Sequence, residues 1–268
     1  MVDAGMRNRL LTFADIDDWA KRAFALWLEN GRRSDDSCVF LDSGAYGAHT
    51  RGVTMDIGRY CDYIKGHHNA IDVYASLDVI GNWRASAKNL DIMCNAGLMP
   101  APTFHLGSPM HELRRLAANY PYLALGGLVG SPSAVIKAHL DKCWAVLRPY
   151  WPIKTHVFGV TAQWALERYP FYSADSSSAI AGSGMGRVMR FEKGHIVSRP
   201  WVQDLRKFLD GSVADGVGGK EGAKSKSAHI GRKVASIKSI IKLERHVTDL
   251  WTGRGVTWDG AAYTGSLV

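Results

Sequence analysis

The stretch that decides the fold is residues 103–127, which read TFHLGSPMHELRRLAANYPYLALGG. An apolar run that leads to His105 is followed by Ser108-Pro109, a helix-capping residue and a proline suited to the first helical position. A second apolar run, Tyr122–Leu125, then ends in the pair Gly126-Gly127. Strand, helix and strand in this order predict a β-α-β unit with parallel strands.

The same alternation recurs along most of the chain, in units of roughly 25–35 residues. The predicted strands are Leu10–Phe13, Cys38–Leu41, Val73–Leu77, Pro102–Phe104, Tyr122–Leu125, His156–Val160 and Phe171–Ala174. So many strand candidates before residue 180 favour a single-domain (β/α)8 barrel, the TIM barrel, over residues 1–268. A doubly wound open sheet is the alternative, although no G-x-G-x-x-G sequence opens a helix.

Helical patterns fill the intervals between these strands. The predicted helices are Ile16–Trp27 before Gly31, a helix capped by Thr54 that runs to about Ile64, one around Leu90–Cys94 closed by Gly97, one that begins at Ser131-Pro132, and a short one capped by Thr161.

The end of the chain departs from this alternation. Arg187–Phe191 and His195–Val197 flank Lys193-Gly194 and predict an inserted β-hairpin. Asp210–Ser227 is rich in Gly, Ser and Lys and predicts a flexible basic loop. Ala228–Trp251 predicts a basic C-terminal helix, with an inward face formed by Ile230, Val234, Ile237, Ile241 and Leu250.

Charge and composition limit the class of protein. The 268 residues carry a net charge of +8, which permits a polyanionic partner. The sequence has no apolar stretch long enough to span a membrane, and its first ten residues lack the apolar core of a secretion signal. We therefore predict a cytoplasmic protein. The four cysteines stand alone, which predicts reduced thiols and no zinc or other metal site.

Polar residues follow the predicted strands at their carboxyl ends. They are Asp42, Asp78, His105, the pair Gly126-Gly127 and Asp175. In a (β/α)8 barrel these ends converge at one mouth, where active sites lie. Three carboxylates suit chemistry at an anomeric carbon, where one traps or stabilises the oxocarbenium ion, one moves a proton, and one accepts hydrogen bonds from the edge of guanine. Each residue taken singly could instead be a helix cap or a loop residue.

Five short segments in chain order resemble motifs of the tRNA-guanine transglycosylases. They are LDSGAY at 41–46, ASLD at 75–78, ALGGLVG at 124–130, FGVT at 158–161 and YSADS at 172–176. They are similar to the family's DSGG(F/Y), A-(L/F)-D, GGLAVG and (M)GVG motifs and to the segment that carries its nucleophilic aspartate. The hairpin 187–199 is similar to the one that follows in that family, so the resemblance spans roughly residues 38–250.

The resemblance implies a catalytic pair. Asp175 would be the nucleophile that attacks C1′ and holds the glycosyl-enzyme intermediate. Asp42 would be the general acid/base or a helper at the sugar, with the roles of Asp42 and Asp175 open to exchange. A structural cap is the alternative for Asp42.

The resemblance also implies a pocket for the base. Asp78 would read the guanine edge, and Gly126, Gly127 and Leu128 would form the loop whose backbone N–H binds the base carbonyl. Tyr46 and Phe158 would stack on the two faces of the base, beside Ser43. His105 stands where the family uses a glutamine, which leaves base contact and proton transfer both open. The alternatives are core aromatics for the two rings, a structural histidine and a simple glycine turn.

One departure from the family pattern changes the expected substrate. The C-x-C-x-x-C…H zinc site that follows the hairpin in the tRNA enzymes is missing from Leu205–His229. In this respect the chain is more similar to the phage and bacterial DNA-guanine transglycosylases, whose product can shield phage DNA from restriction enzymes. The resemblance implies a 7-deazaguanine base as co-substrate, DNA rather than tRNA as the polymer, and the host cytoplasm as the location if a phage encodes the chain.

The basic C-terminal segment is the predicted contact to the nucleic-acid backbone. The residues expected to meet phosphates are Lys220, Lys224, Lys226, Arg232 and Lys233. A monomer or a homodimer is compatible with the missing zinc site. Transglycosylation of tRNA, a catalytically inactive nucleic-acid-binding barrel and a glycosidase acting on small nucleosides are the alternative functions.

Overall fold

The structure is a computed structural model that describes residues 8–13, 38–177, 181–183, 185–200 and 226–258, with side chains of the last segment from Ile230 onward. The predicted helix Ile16–Trp27 lies outside the described residues, as does most of the predicted loop Asp210–Ser227.

Seven parallel strands form the centre of the described chain. They are β1 (Asn8–Thr12), β2 (Cys38–Asp42), β3 (Val73–Tyr74), β4 (Thr103–His105), β5 (Tyr122–Gly126), β6 (Lys154–Val157) and β7 (Ser173–Ala174). Strands β1–β3 form one sheet and β4–β7 a second, each in sequential order. A parallel bridge between Ala75 and Ala101 connects the two sheets. The predicted α/β class with parallel strands is confirmed.

Helices occupy the intervals between strands. They are α1 (Ala45–Thr50), α2 (Ile57–Gly66), α3 (Trp83–Asn95), α4 (Met110–Asn119), α5 (Ser133–Leu147), α6 (Gln163–Arg168) and α7 (Lys226–Gly253). Three of the predicted helix starts were wrong by one or two residues. The cap of α2 is Asp56 rather than Thr54, because its carboxylate accepts the N–H of Gly58 at 2.8 Å. Pro109 and Pro132 themselves occupy the extended N-cap position of α4 and α5.

The two faces of the strands pack into different cores. Alternate residues such as Leu41, Leu125 and Val157 face outward and are buried among the helices. The other set forms a separate interior cluster, to which Phe40 of β2 and Tyr122 of β5 belong. Fully burying each large apolar side chain stabilises the fold by about 1.5–3 kcal/mol, so both cores contribute to holding the strands in place.

The strands curl around this interior cluster. Strands β2 and β6 are four positions apart in the strand order, which would separate them by about 19 Å in a flat sheet. The rings of Phe40 and His156 nevertheless lie only 4.5 Å apart between centroids. The interior is therefore enclosed on several sides by strands.

Helix α7 contacts elements at both ends of the strand order. Asn8 of β1 donates to Glu244 at 2.8 Å, while His246 of α7 lies 2.9 Å from Glu167 of α6. Among the described residues no strand joins β7 to β1, so the closed eight-stranded barrel that the sequence predicts is not seen.

The predicted β-hairpin is present and packs on α7. Strands β8 (Arg187–Glu192) and β9 (His195–Pro200) are antiparallel around Lys193-Gly194, both with positive φ. The N–H of Met189 in β8 donates to Ser236 of α7 at 3.1 Å.

The predicted inward face of α7 is partly wrong. Ile237 is buried, whereas Ile230 is 51% exposed.

Candidate active site

The acidic residues lie at the carboxyl ends of the parallel strands. Asp42 is the last residue of β2, Asp78 follows β3, and Asp175 comes directly after β7. His105 is the last residue of β4. Because the strands are parallel and curl around one interior, these side chains arrive at the same rim.

Asp42 is coupled electrostatically to the other two carboxylates. Burial raises the pKa of the Asp42 carboxyl to about 7; the backbone hydrogen bond from Gly44 opposes this shift, and the negative charges of Asp78 and Asp175 add to it. Asp42 therefore exists as a mixture of acid and carboxylate near neutral pH. The structure thus brings together the three carboxylates that the sequence predicted would meet.

Two partners hold the Asp78 carboxylate. Ser76 donates to Oδ1 at 3.1 Å, and Nε2 of His105 lies 3.1 Å from Oδ2. The side chain of Asp78 is almost fully buried and that of His105 slightly less so. His105 therefore belongs to the acidic cluster as the direct partner of Asp78.

Asp175 is more accessible to solvent than Asp78. Its side chain is 26% exposed, whereas that of Asp78 is 8% exposed. The N–H of Gly159 donates to Oδ1 at 3.1 Å, and Nε2 of His156 lies 3.2 Å from the same oxygen. The second oxygen, Oδ2, has no hydrogen-bond partner within the described part of the chain. One oxygen of Asp175 is thus held while the other is available to a ligand.

His156 is a residue of the site that was not predicted from the sequence. Its Nδ1 lies 2.7 Å from Oγ of Ser173, which in turn lies 2.6 Å from the hydroxyl of Tyr122. A detectable signal was present, because His156 is the one polar side chain in the predicted apolar run His156–Val160. In the structure it is in register with Ser173.

Two glycines at the end of β5 allow close approach to the rim. A Cβ on Gly126 would lie 2.9 Å from Cγ2 of Thr103 and 3.4 Å from the His105 ring. Gly127 has φ 73, and a Cβ there would lie 3.1 Å from the backbone nitrogen of Leu106. A side chain at either position would crowd the strand end that carries His105.

Leu128 and Ser43 are buried and serve the local structure. Leu128 is 1% exposed and belongs to the core between strands and helices. Ser43 is also 1% exposed, and its Oγ accepts the N–H of Ala45 at 3.4 Å in the first turn of α1. A role for these two residues in base binding stays a prediction.

The two aromatic residues predicted to stack on a base differ in environment. Tyr46 on α1 is 53% exposed. Phe158 packs in the interior cluster, with its ring edge-on to His156 at 4.5 Å and to Phe40 at 5.7 Å. A base-stacking role for either ring stays a prediction.

The predicted phosphate-contacting residues have different positions. Arg232 is 5% exposed and its Nε donates to the carbonyl of Ser183 at 2.9 Å, so the prediction that it meets phosphates is wrong. Lys233 on α7 is half-buried. Lys220 and Lys224 lie outside the described residues, as does the side chain of Lys226.

Two surveys of the described residues bear on metals and membranes. No group of three or more His, Cys, Asp or Glu side chains in these segments has the arrangement of a metal site. Within the same segments, no helix combines the length and apolar character needed to span a membrane.

The fold and site together define an α/β protein with an acidic cluster at the carboxyl ends of parallel strands. No protein-family model and no curated protein sequence matches the chain. Among solved structures it is similar to the carboxyl transferase domain of Rhizobium etli pyruvate carboxylase, determined with 3-hydroxypyruvate and with pyruvate and biocytin. Both similarities have 13% identity and a TM-score of 0.36 over 76% of this chain. The match covers only 36% and 35% of those two chains, about a third of their length.

Proposed function

We propose that the chain is a guanine transglycosylase that exchanges guanine in DNA for a 7-deazaguanine base. The observation that carries the proposal is the coupling of Asp42, Asp78 and Asp175 at one rim, with the Asp42 pKa raised to about 7. Three neighbouring carboxylates repel one another and lower the stability of the fold. Their presence at one rim therefore indicates a functional role. The resemblance in motif order supplies the reaction class.

In the first half-reaction Asp175 attacks the sugar. Its unpartnered Oδ2 forms a bond to C1′ while the C1′–N9 bond breaks and the electron pair moves onto guanine. The protonated form of Asp42, which is populated near neutral pH, gives its proton to the departing base. The products are a glycosyl ester on Asp175, neutral guanine and an ionised Asp42.

The second half-reaction reverses these steps with the new base. The Asp42 carboxylate takes the N9 proton of the 7-deazaguanine, and N9 attacks C1′. The C1′–Oδ2 bond breaks, and its electron pair returns to the Asp175 carboxylate. Both carboxyl groups then regain their starting states, so the exchange consumes no other reactant.

Asp78 and His105 suit recognition of the base. A carboxylate held from both sides by Ser76 and His105 has little freedom to turn, and it can accept the N1–H and N2–H of a guanine edge. The backbone at Gly127 is open to close approach because no side chain projects there. Guanine and 7-deazaguanine share this edge, which an exchange reaction requires.

We propose further that the strands close into a (β/α)8 barrel. The sequential strand order, the contact between Phe40 and His156, and the position of α7 against both β1 and α6 support closure. Closure would place the acidic rim at a mouth, where a flipped-out nucleotide can enter at an unstacking cost of about a few kcal/mol.

Incubation of the full chain with guanine-labelled DNA and a 7-deazaguanine base tests the function. We expect release of labelled guanine that depends on the added base and is lost in Asp175→Ala. Release from labelled tRNA alone would assign the tRNA reaction, and turnover of free guanosine would assign a nucleosidase. Binding without release from any polymer would support an inactive binding protein and contradict the proposal.

A further inference from the structure

A buried histidine lies directly behind the proposed nucleophile. His156 is 2% exposed and lies in the interior with Phe40 on one side and Phe158 on another, each ring 4.5 Å away. Burying an imidazole among aromatic rings is costly unless its nitrogens are hydrogen-bonded. Both nitrogens of His156 do have partners, Ser173 at Nδ1 and Asp175 at Nε2.

The chemistry of the partners sets the direction of these hydrogen bonds. An ionised carboxylate only accepts, so Nε2 of His156 must carry the proton that faces Asp175. In a neutral imidazole Nδ1 then accepts from the hydroxyl of Ser173, and Ser173 accepts from Tyr122. Burial raises the pKa of Tyr122 well above its usual value, so its phenol remains a donor. We call Tyr122, Ser173, His156 and Asp175 the interior chain.

The interior chain ends on one particular oxygen. Oδ1 of Asp175 accepts both from His156 at 3.2 Å and from the N–H of Gly159 at 3.1 Å. Gly159 has φ 71, and a Cβ there would collide with Val129, so only glycine places its N–H in this way. Two donors on Oδ1 fix the plane of the carboxyl group, and Oδ2 has no hydrogen-bond partner among the described residues.

We propose that His156 is a positioning residue that makes Oδ2 of Asp175 the attacking atom. The inference rests on the proposed function and adds to it the residue that orients the nucleophile. When Oδ2 bonds to C1′, Oδ1 becomes the carbonyl oxygen of the ester and keeps both donors. When the ester breaks, the same donors stabilise the charge that returns to the carboxylate.

Three substitutions separate this role from simple packing. His156→Leu removes the donor and keeps an apolar side chain, Ser173→Ala interrupts the interior chain without touching Asp175, and His156→Gln keeps an N–H near the position of Nε2. His139→Gln is the matched control, since His139 is also a buried histidine but stacks on Phe104 in the outer core.

The kinetic expectation is a loss of rate with little change in binding. His156→Leu should slow formation of the Asp175 adduct about 100-fold, because a small misplacement of a reacting group costs about that much. The KM for the 7-deazaguanine should change less than about 3-fold. His156→Gln should recover at least about 10-fold of the lost rate, and His139→Gln should match the unmodified chain. A wild-type rate in His156→Leu would overturn the proposal.

A spectroscopic measurement on the unmodified chain tests the hydrogen bonds of His156. It depends neither on activity nor on whether a variant folds. Long-range ¹H–¹⁵N spectra of the ¹⁵N-histidine-labelled chain should show a proton on Nε2 of His156. Ser173→Ala should shift the Nδ1 resonance and leave the proton on Nε2. A proton on Nδ1 alone would refute the inference. If the tautomer is as expected but no base exchange occurs, the proposed function fails while the interior chain stands.

Discussion

At the scale of the residue, the most informative group is Asp42. A carboxyl group normally ionises near pH 4, and burial beside two other carboxylates moves the pKa of Asp42 to about 7. In the proposed reaction this raised pKa allows Asp42 to act as the proton donor near neutral pH.

The raised pKa predicts a dependence of stability on pH. The pKa of Asp42 is higher in the folded than in the unfolded chain, so Asp42 of the unfolded chain ionises first as pH rises. The free energy of unfolding therefore falls between about pH 4 and about pH 7. With partial solvent access, we expect a loss of about 2 kcal/mol that Asp42→Asn abolishes. Urea unfolding at pH 5 and pH 8 measures it, with the exposed Asp62→Asn as control. An unchanged pH dependence in Asp42→Asn would contradict the raised pKa.

The same pKa predicts the pH dependence of catalysis. Base release requires protonated Asp42, so the rate of adduct formation should fall as pH rises above about 7. Single-turnover rates between pH 5.5 and about 9 would follow this limb. A rate that stays level through this range would show that Asp42 is not the proton donor.

Alanine substitutions at Gly127 and Gly130 distinguish the effect of a strained backbone from that of steric crowding by the new side chain. Both have positive φ, 73 and 81, but only at Gly127 would a Cβ meet another strand end, 3.1 Å from the nitrogen of Leu106. Each substitution to Ala should cost about 1–2 kcal/mol for the strained conformation. Gly127→Ala should in addition lower the rate of base exchange at least about 10-fold, because it displaces His105. Equal activity in the two variants would argue against a close-approach role for Gly127.

At the scale of the element, the sequence predicted the order of the strands better than the limits of strands and helices. Strands β2 and β5 were placed well, because β2 is followed by Ser43 and β5 lies between Pro121 and Gly127. Strand β6 begins two residues before the predicted run His156–Val160. Helix starts depend on which side chain reaches a backbone N–H, and Asp56 competes with Thr54 for that position. Helix α1 was missed because it begins at Gly44 with φ 79, which no capping pattern indicates.

The candidate site was predictable to the extent that it consists of carboxylates at strand ends. Its supporting contacts were not, because they depend on which side chains face the interior once the strands curl. His156 meets Ser173 and Tyr122 only in the folded state. Arg232 shows the reverse error: a basic run on a helix is expected to be exposed, but in the folded chain Arg232 is buried and donates to the carbonyl of Ser183.

A comparison of Arg232 with its neighbour Lys233 tests whether Arg232 is a buried anchor of α7. Arg232→Ala leaves the buried carbonyl of Ser183 without its Nε donor, which should cost about 2 kcal/mol. Lys233→Ala should change the free energy of unfolding by less than about 0.5 kcal/mol, since it is half-buried and makes no ion pair within the described residues. Thermal or urea unfolding compares them. Similar stabilities would mean that Arg232 is not an anchor of α7.

At the scale of the whole molecule, curvature of the strands turns scattered residues into one site. Phe40 lies in β2 and Phe158 directly follows β6, yet their rings meet edge to face at 5.7 Å. A double-mutant cycle with Phe40→Leu and Phe158→Leu should give a coupling energy of at least about 0.5 kcal/mol. Phe40 paired with Phe104, which faces the outer core, should give additive effects. Additivity in both pairs would contradict the enclosed interior.

The central claim is that Asp175 forms a covalent bond to the sugar of a guanine nucleotide. The most direct measurement is peptide mass spectrometry of the full chain after incubation with guanine-containing DNA and rapid denaturation. The account predicts a glycosyl adduct on the peptide that contains Asp175, lost in Asp175→Asn and discharged by the added 7-deazaguanine. An adduct on Asp42 or Asp78, or base exchange that proceeds with no adduct in Asp175→Asn, would contradict it.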